Sequence, residues 1–327
     1  MTSSSAVRVA VVGGGYMGGG IAQTFAAHGI DCVLVDASAE RSLQRVDQLH
    51  QEAQRFAEDG LVSGAAAERI AEHLRPAESL EAAVADATYV SEVVFERADV
   101  KAEVLSSISS LTGPEVIIGS NTSAIPIGEL AESVRHPERF LGVHWMNPAP
   151  FVPCVEVIPA SETADDVVRA AVELMRDIGK VPTVVADSPG FVANRLQYAL
   201  FREAIRIVED GIASPADIDE VVSNSFGFRL PFFGPFAIAD IAGLDVYRDG
   251  FATMERAFGE RIGTPELLRE QVEAGRHGLK TGQGFFDYQD GQTAEVARYR
   301  DRANAGLTRL REEVQRADTS EQPTSED

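Results

Sequence analysis

Val7-Arg-Val-Ala-Val-Val12, running into Gly13-Gly-Gly15-Tyr16-Met17-Gly18, is the stretch on which the fold of this chain turns. Its first half is a short apolar run of the kind that fills a strand covered on both faces. Its second half fits G-x-G-x-x-G. Ile21, Ala22, Phe25 and Ala26 then recur at helical spacing up to Gly29, a natural helix stop, and residues 32–35 read as a second buried strand. Strand, glycine loop, helix and strand make one βαβ unit. Asp36 closes it, 18 residues after Gly18, near the spacing of about 20 at which a carboxylate meets the adenosine ribose of a dinucleotide. In such a unit Gly13 permits the tight turn, Gly15 lets the backbone approach a pyrophosphate, and Gly18 lets the helix sit close to the sheet. Free N–H groups and the positive helix end then hold the anion. Asp36 repels a 2′-phosphate and no arginine follows it within four positions, which favours NAD over NADP. A glycine-rich turn that binds nothing is the plainer competing reading, and FAD the nearest competing ligand; the tail of the chain shows no flavin-site signal.

Outward from this unit, strand and helix signals alternate. Strands are expected at residues 89–94, 116–119, 140–144, 155–158 and 181–185. Helices are expected within 40–75 (one or two, interrupted around 60–64), and at 97–110 and 165–178. The first ~185 residues therefore read as a Rossmann-type, doubly wound parallel sheet. Beyond Asp187-Ser188-Pro189-Gly190 strand signals almost vanish. Helices are expected at 191–209, at 215–224 behind the N-cap candidate Ser214, and in two or three more segments to about Gly275. The expected organisation is an α/β domain over 1–187, an all-helical domain over 188–288, and over 289–327 a charged helical extension (295–316) with an acidic, disordered tail.

The 327 residues carry 29 Lys+Arg against 51 Asp+Glu, a formal charge of -22. That balance excludes non-specific nucleic-acid binding and an anionic membrane surface as partner. No apolar run approaches a membrane span, and the short Ser-rich start is no signal peptide. Cys32 and Cys154 form neither a disulfide framework nor a zinc motif, and no metal site is expected; a reducing, cytoplasmic setting follows. The only lysines are Lys101, Lys180 and Lys280.

Three segments put polar groups where apolar ones would pack better. Ser120-Asn121-Thr122-Ser123 and His144-Trp-Met-Asn-Pro148 end buried strands, at the edge that faces the ligand crevice. Glu156 interrupts the apolar Val155-Glu-Val-Ile158. A buried Glu is costly unless paired, and His144, on a neighbouring strand, is its expected partner. Such a pair makes a general base, because the carboxylate fixes the imidazole tautomer. A satisfied core histidine is the bland alternative.

These residues resemble the L-3-hydroxyacyl-CoA dehydrogenase family, over roughly residues 7–288. The resemblance rests on the glycine loop, Ser-Asn-Thr-Ser123, Gly-Val-His144-Trp-Met-Asn-Pro148, Val-Glu156-Val-Ile, Asp-Ser-Pro-Gly-Phe-Val-Ala-Asn194-Arg195 and Gly-Leu-Lys280-Thr-Gly-x-Gly-Phe. It implies that His144 takes a hydroxyl proton while hydride passes to NAD, and that Glu156 orients His144. It implies that Ser123 and Asn194 hydrogen-bond the substrate oxygen and the catalytic histidine, that Glu96 and Lys101 contact the nicotinamide ribose and nearby groups, and that Asn121, Tyr16 and Met17 belong to the cofactor site. It further implies a homodimer formed through the helical module, and a small hydroxyacyl or hydroxy-acid substrate such as 3-hydroxybutyryl-CoA.

The chain also departs from the pattern. The segment 40–75 has no lysine to meet CoA phosphates; only Arg41, Arg45, Arg55, Arg69 and Arg75 could substitute. The extension past Tyr288 and Trp145 resemble relatives that oxidise free hydroxy acids, of carnitine, gulonate or pyridine-carboxylate type. A non-enzymatic, crystallin-like protein that keeps the dinucleotide site is the alternative of another class.

Overall fold

A computed structural model of the chain describes residues 7–289 and 291–320. The chain divides after Phe201 into two compact units.

The first unit runs β1 (Arg8–Val12), α1 (Tyr16–Ala27), β2 (Asp31–Val35), α2 (Ala39–Glu58), α3 (Gly64–His73), β3 (Leu74–Pro76), α4 (Leu80–Val84), β4 (Tyr89–Glu92), α5 (Ala98–Leu111), β5 (Ile117–Ser120), α6 (Ile127–Ala131), β6 (Phe140–Trp145), β7 (Cys154–Pro159), α7 (Asp165–Asp177) and β8 (Val181–Val184), and ends within α8 (Ala193–Glu209). One sheet holds all eight strands in the order β3-β2-β1-β4-β5-β6-β7-β8. The chain winds from β1 to one edge and returns to place β4 on β1's other side. That reversal opens a crevice beyond the carboxyl ends of β1 and β4. β1 is central and buried from Val9 to Val12, as its unbroken apolar run requires. One core layer packs Phe25, Leu49 and Trp145 on one face of the sheet; the other packs Leu105, Ile108 and Phe140 on the opposite face. α2 follows the amphipathic rule: Ser38 accepts from Arg41 N at its start, and Val46, Leu49 and Ala53 are its buried stripe.

The expected all-parallel sheet needs one correction. β6 and β7 pair antiparallel, while β7 and β8 are parallel. The reason is connection length: residues 146–153 are too few for a parallel crossover, which takes about a dozen or more. β3 and α4 escape periodicity because they are three and five residues long.

The expected boundary at residue 187 and the contact boundary after Phe201 differ for a physical reason. The start of α8 is tied back to the first unit: Val192 N and Ala193 N donate to Glu156, and Asn194 donates to Ser123 O.

The second unit continues α8 and adds α9 (Pro215–Asn224), α10 (Pro235–Ala242), α11 (Leu244–Phe258), α12 (Glu266–Glu273) and α13 (Gln292–Ser320). Ser214 and Asp217 form a reciprocal capping box on α9. The Gly-Leu-Lys280-Thr-Gly-x-Gly-Phe motif is a structural knot here. Asp240 on α10 is fully buried and accepts from Phe285 N, Phe286 N and the Tyr288 hydroxyl, each at 3.0 Å. Lys280 pairs with Asp245. α13 is helical through Ser320, so the helix runs past the expected end of the extension at 316; residues 1–6 and 321–327, on which the expectations for both termini partly fall, lie outside the described residues. Among the described residues no helix is long and apolar enough to cross a membrane.

Candidate active site

Strand register brings the site together. Val12 pairs with Glu92, Glu92 with Ser120, and Ser120 with Gly142. Just beyond this line, at one end of the sheet, lie the glycine loop, Glu96, residues 121–123 and His144, the last still within β6.

The glycine loop fits a dinucleotide pyrophosphate. Gly13 has φ +112, and a Cβ there would stand 2.6 Å from Val93 O; a Cβ on Gly18 would stand 1.9 Å from Gly13 O. Only glycine allows this turn and this approach of helix to loop. By contrast, nothing lies within 4 Å of a Cβ built on Gly15. Gly15 caps α1 with no side-chain hydrogen bond to the first-turn N–H groups, so these are left for an anion. Tyr16, well exposed, and Met17, resting on the core, supply that first turn.

Asp36 ends β2 beside the loop. Its Oδ2 accepts from Gly14 N at 3.0 Å and its Oδ1 from Ala37 N at 2.6 Å. Counting four residues forward misses what the helix does: the first turn of α2 carries Arg41 back, with Nε 3.1 Å from Asp36 Oδ1. Asp36 therefore occupies Arg41, and it is the expected acceptor for ribose hydroxyls. Asp36→Ala is expected to raise the NADP-to-NAD ratio of kcat/KM by roughly 10–100-fold, since it removes a repulsive charge and releases a guanidinium suited to phosphate. An unchanged ratio in steady-state assays would contradict this role.

His144 and Glu156 stand directly opposite each other across β6 and β7. His144 Nδ1 is 2.8 Å from Glu156 Oε2, and both side chains are about 5% exposed or less. Glu156 Oε1 accepts from Val192 N at 3.0 Å and Ala193 N at 2.9 Å. One carboxylate thus aligns the imidazole and terminates α8, where the helix dipole favours a negative charge. The Phe191 ring lies 5.6 Å from the imidazole, centroid to centroid. Nε2 makes no hydrogen bond among the described residues.

The other expected site residues each find partners within the chain. Asn194 Nδ2 donates to the Ser123 carbonyl at 2.9 Å, and neither Ser123 nor Asn194 bonds His144. Asn121 Oδ1 accepts from Trp145 N at 2.8 Å, fastening the ends of β5 and β6. Lys101 is fully buried, with Nζ 2.8 Å from Glu92 Oε1 and 3.3 Å from Val94 O. Glu96 Oε1 accepts from the Thr122 hydroxyl, Ser123 N and Ala124 N. Partial burial by itself raises the Glu96 carboxyl; these donors together with Lys101 outweigh it and hold the group below the ordinary glutamate range.

Glu92 was not singled out from the sequence, yet it is the hub of this region. Besides Lys101 it accepts from Ser120 Oγ at 2.5 Å and Val94 N at 2.8 Å, with no solvent exposure. The signal was present: a Glu closing a buried strand, the same anomaly that marked Glu156.

The five arginines of residues 40–75 also separate. Arg69 donates to Ala27 O, Arg75 to Ala71 O and Leu74 O, and Arg41 pairs with Asp36. Arg55 is exposed on α2. Arg45 lies along the glycine loop, its guanidinium over Gly19, and makes no ion pair among the described residues. With Tyr16, Gln23, Phe56 and Phe151 it lines a groove between α1, α2 and the 146–153 connection. All three lysines are engaged. Lys180 Nζ donates to Ala149 O at 2.5 Å and Val152 O at 2.9 Å beneath the Trp145 ring, and burial pushes its ammonium down to about 8.

Comparison with known proteins agrees with this geometry. The family model described as "3-hydroxyacyl-CoA dehydrogenase, NAD binding domain" matches residues 8–188, and "3-hydroxyacyl-CoA dehydrogenase, C-terminal domain" matches residues 190–288. A 5-formyl-3-hydroxy-2-methylpyridine 4-carboxylate 5-dehydrogenase of Mesorhizobium japonicum is 35% identical, over 93% of this chain and 98% of that protein. A probable 3-hydroxybutyryl-CoA dehydrogenase of Bacillus subtilis is 34% identical, over 86% of this chain and 98% of that protein. Among solved structures, a 3-hydroxyacyl-CoA dehydrogenase of Archaeoglobus fulgidus is 30% identical with a TM-score of 0.78, covering 93% of this chain and 98% of that one. Two family models that together span residues 8–188 and 190–288, and relatives 34–35% identical over most of the chain, thus place it in the 3-hydroxyacyl-CoA dehydrogenase family of NAD-dependent oxidoreductases acting on CH–OH groups.

Proposed function

We propose that this chain oxidises the 3-hydroxyl of a short 3-hydroxyacyl-CoA, such as 3-hydroxybutyryl-CoA, to the 3-keto compound. The observation that carries this reading is the buried His144–Glu156 pair at the crevice edge. As a carboxylate, Glu156 can only accept, so Nδ1 carries the imidazole proton and Nε2 presents its lone pair. Nε2 is then the base that takes the hydroxyl proton as the carbinol C–H bond breaks. NAD, when bound, accepts the hydride. Gly13, Gly15, Gly18, Tyr16 and Met17 hold its pyrophosphate and Asp36 its adenosine ribose. Ser123 offers a hydroxyl to the substrate oxygen, and Asn194 holds the Ser123 loop. Nothing in this scheme needs a metal ion. The intact pair speaks against a purely structural, crystallin-like role.

A second reading, oxidation of a CoA-free hydroxy acid, is favoured by two observations. The Mesorhizobium japonicum pyridine-carboxylate dehydrogenase matches more of this chain than the Bacillus subtilis protein does. Each of the three lysines already has a partner on this chain, which among residues 40–75 leaves Arg45 and Arg55 for any CoA phosphate. Steady-state NADH formation separates the readings: 3-hydroxybutyryl-CoA is expected to be turned over with a kcat/KM of roughly 10⁴ M⁻¹s⁻¹ or more, the ordinary range for a true substrate. Turnover of carnitine, gulonate or a hydroxymethyl-pyridine carboxylate, with none of the CoA ester, would transfer the assignment to the second reading.

We further propose a homodimer assembled through the helical unit. Among the described residues its buried apolar cluster holds Ala239, Leu244, Leu268 and Val272, while Ile212, Val221 and Val246 are more than half exposed. So little core for its length calls for a covering partner. A reducing, cytoplasmic compartment suits its two free cysteines, Cys32 and Cys154.

A further inference from the structure

Lys180 lies between α7 and β8, 7% exposed, and among the described residues it pairs with no carboxylate. Its Nζ donates instead to three carbonyls of one connection: Ala149 O at 2.5 Å, Val152 O at 2.9 Å and Pro150 O at 3.5 Å. The same atom is 5.3 Å from the centroid of the Trp145 ring. A buried cation with no ion-pair partner is costly, and carbonyl dipoles together with an aromatic face offset that cost.

The connection it grips, residues 146–153, joins the strand of His144 to the strand of Glu156. It is held at two further points. Val181 N, at the start of β8, donates to Pro153 O at 2.8 Å. The Pro150 ring rests on α1, where a Cβ built on Gly20 would stand 3.0 Å from it. In a hairpin the turn sets the register of the two strands. Residues 146–153 are too many for a tight two-residue turn to do so. Here the buried ammonium draws three carbonyls of the connection to one point instead. A slip of one residue would send His144 and Glu156 to opposite faces of the sheet. A smaller shift would open their 2.8 Å contact.

We infer that Lys180 is a positioning residue for the reaction: by gathering the 146–153 connection, it fixes the base His144 opposite Glu156. This rests on the reading of His144 as the base. Lys180 bonds neither residue of the pair. It acts through the connection and through Trp145, the neighbour of His144 on β6. A misplacement on the order of 1 Å at a reacting group lowers turnover by about 10²-fold in severe cases.

The test is a double-mutant cycle in the full chain: wild type, Lys180→Met, His144→Ala, and both changes together. The quantity read is the rate constant of NADH formation in a single turnover, at saturating NAD and with protein in saturating excess over the better substrate. A misfolded fraction leaves that rate constant unchanged, whereas a misplaced base lowers it. Lys180→Met keeps the apolar stem and removes the ammonium. It is expected to lower the rate constant by roughly 10–100-fold. In the His144→Ala background the same change is expected to cost less than about twofold, because the group it positions is already gone. Lys180→Gln keeps two N–H donors for the carbonyls and should lower the rate constant by roughly 3–10-fold. It carries the same cycle if Lys180→Met fails to fold. A wild-type rate constant in the Lys180 variants would make this residue a staple of the fold alone and overturn the inference. Losses that multiply in full with that of His144→Ala would also overturn it, since they would place the action of Lys180 elsewhere. Full turnover in His144→Ala would instead overturn the parent reading, and the inference with it.

Discussion

Replacing His144 with alanine is expected to lower kcat by roughly 10²–10⁴-fold, the range of a general base, while NADH affinity stays within about twofold of wild type. In free energy this is a loss of about 3–5 kcal/mol of transition-state stabilisation. The imidazole lies on β6, whereas the pyrophosphate cradle lies between β1 and α1, so base and dinucleotide site share no side chain. The loss should therefore appear in kcat, with binding spared. Glu156→Gln should fall between His144→Ala and wild type. It keeps an acceptor toward Nδ1 but loses the charge that stabilises the imidazolium formed when the proton arrives. Binding lost in parallel with turnover would mean that His144 supports the fold of the crevice rather than the reaction.

The second large effect concerns stability. Glu92→Ala is expected to destabilise the first unit by about 3–5 kcal/mol, the cost of leaving a buried charge without its partner. Lys101 and Glu92 are both 1% exposed or less, so water cannot take the carboxylate's place. In a unit of this size that corresponds to a fall in Tm of roughly 6–20 °C by calorimetry or circular dichroism. The double variant Glu92→Leu with Lys101→Met should recover most of the loss, because removing both charges also removes their desolvation penalty. Additive losses in the double variant would show that the two residues act separately, contrary to their 2.8 Å contact.

The sequence carried the parts of this site that violate local expectation. Three glycines in a fixed order, an acid at the end of the second strand, and a Glu and a His inside apolar strands all go against packing preference, and chemistry is the economical reason to keep them. The direct opposition of His144 and Glu156 followed once both were read as strand residues. The antiparallel pairing of β7 is legible too, in the brevity of residues 146–153, which are too few for a parallel crossover. What could not be read was where long side chains go. Arg41 reaches Asp36 only because a helix turn folds it back. Lys101 turns inward to Glu92 from one exposed-looking turn of α5. Asn194 holds Ser123 across 71 residues of sequence, a contact no local pattern encodes.

The central claim is that the chain moves a hydride directly from a carbinol carbon to NAD with His144 as base. It is tested most directly by incubating wild-type protein and NAD with 3-hydroxybutyryl-CoA deuterated at the carbinol carbon, and separately with the deuterated free hydroxy acid, then analysing the NADH formed. The expected result is one deuterium per NADH, retained in ordinary water, with either substrate that turns over. NADH without the label, or no NAD reduction by any hydroxyacyl or hydroxy-acid substrate, would contradict it.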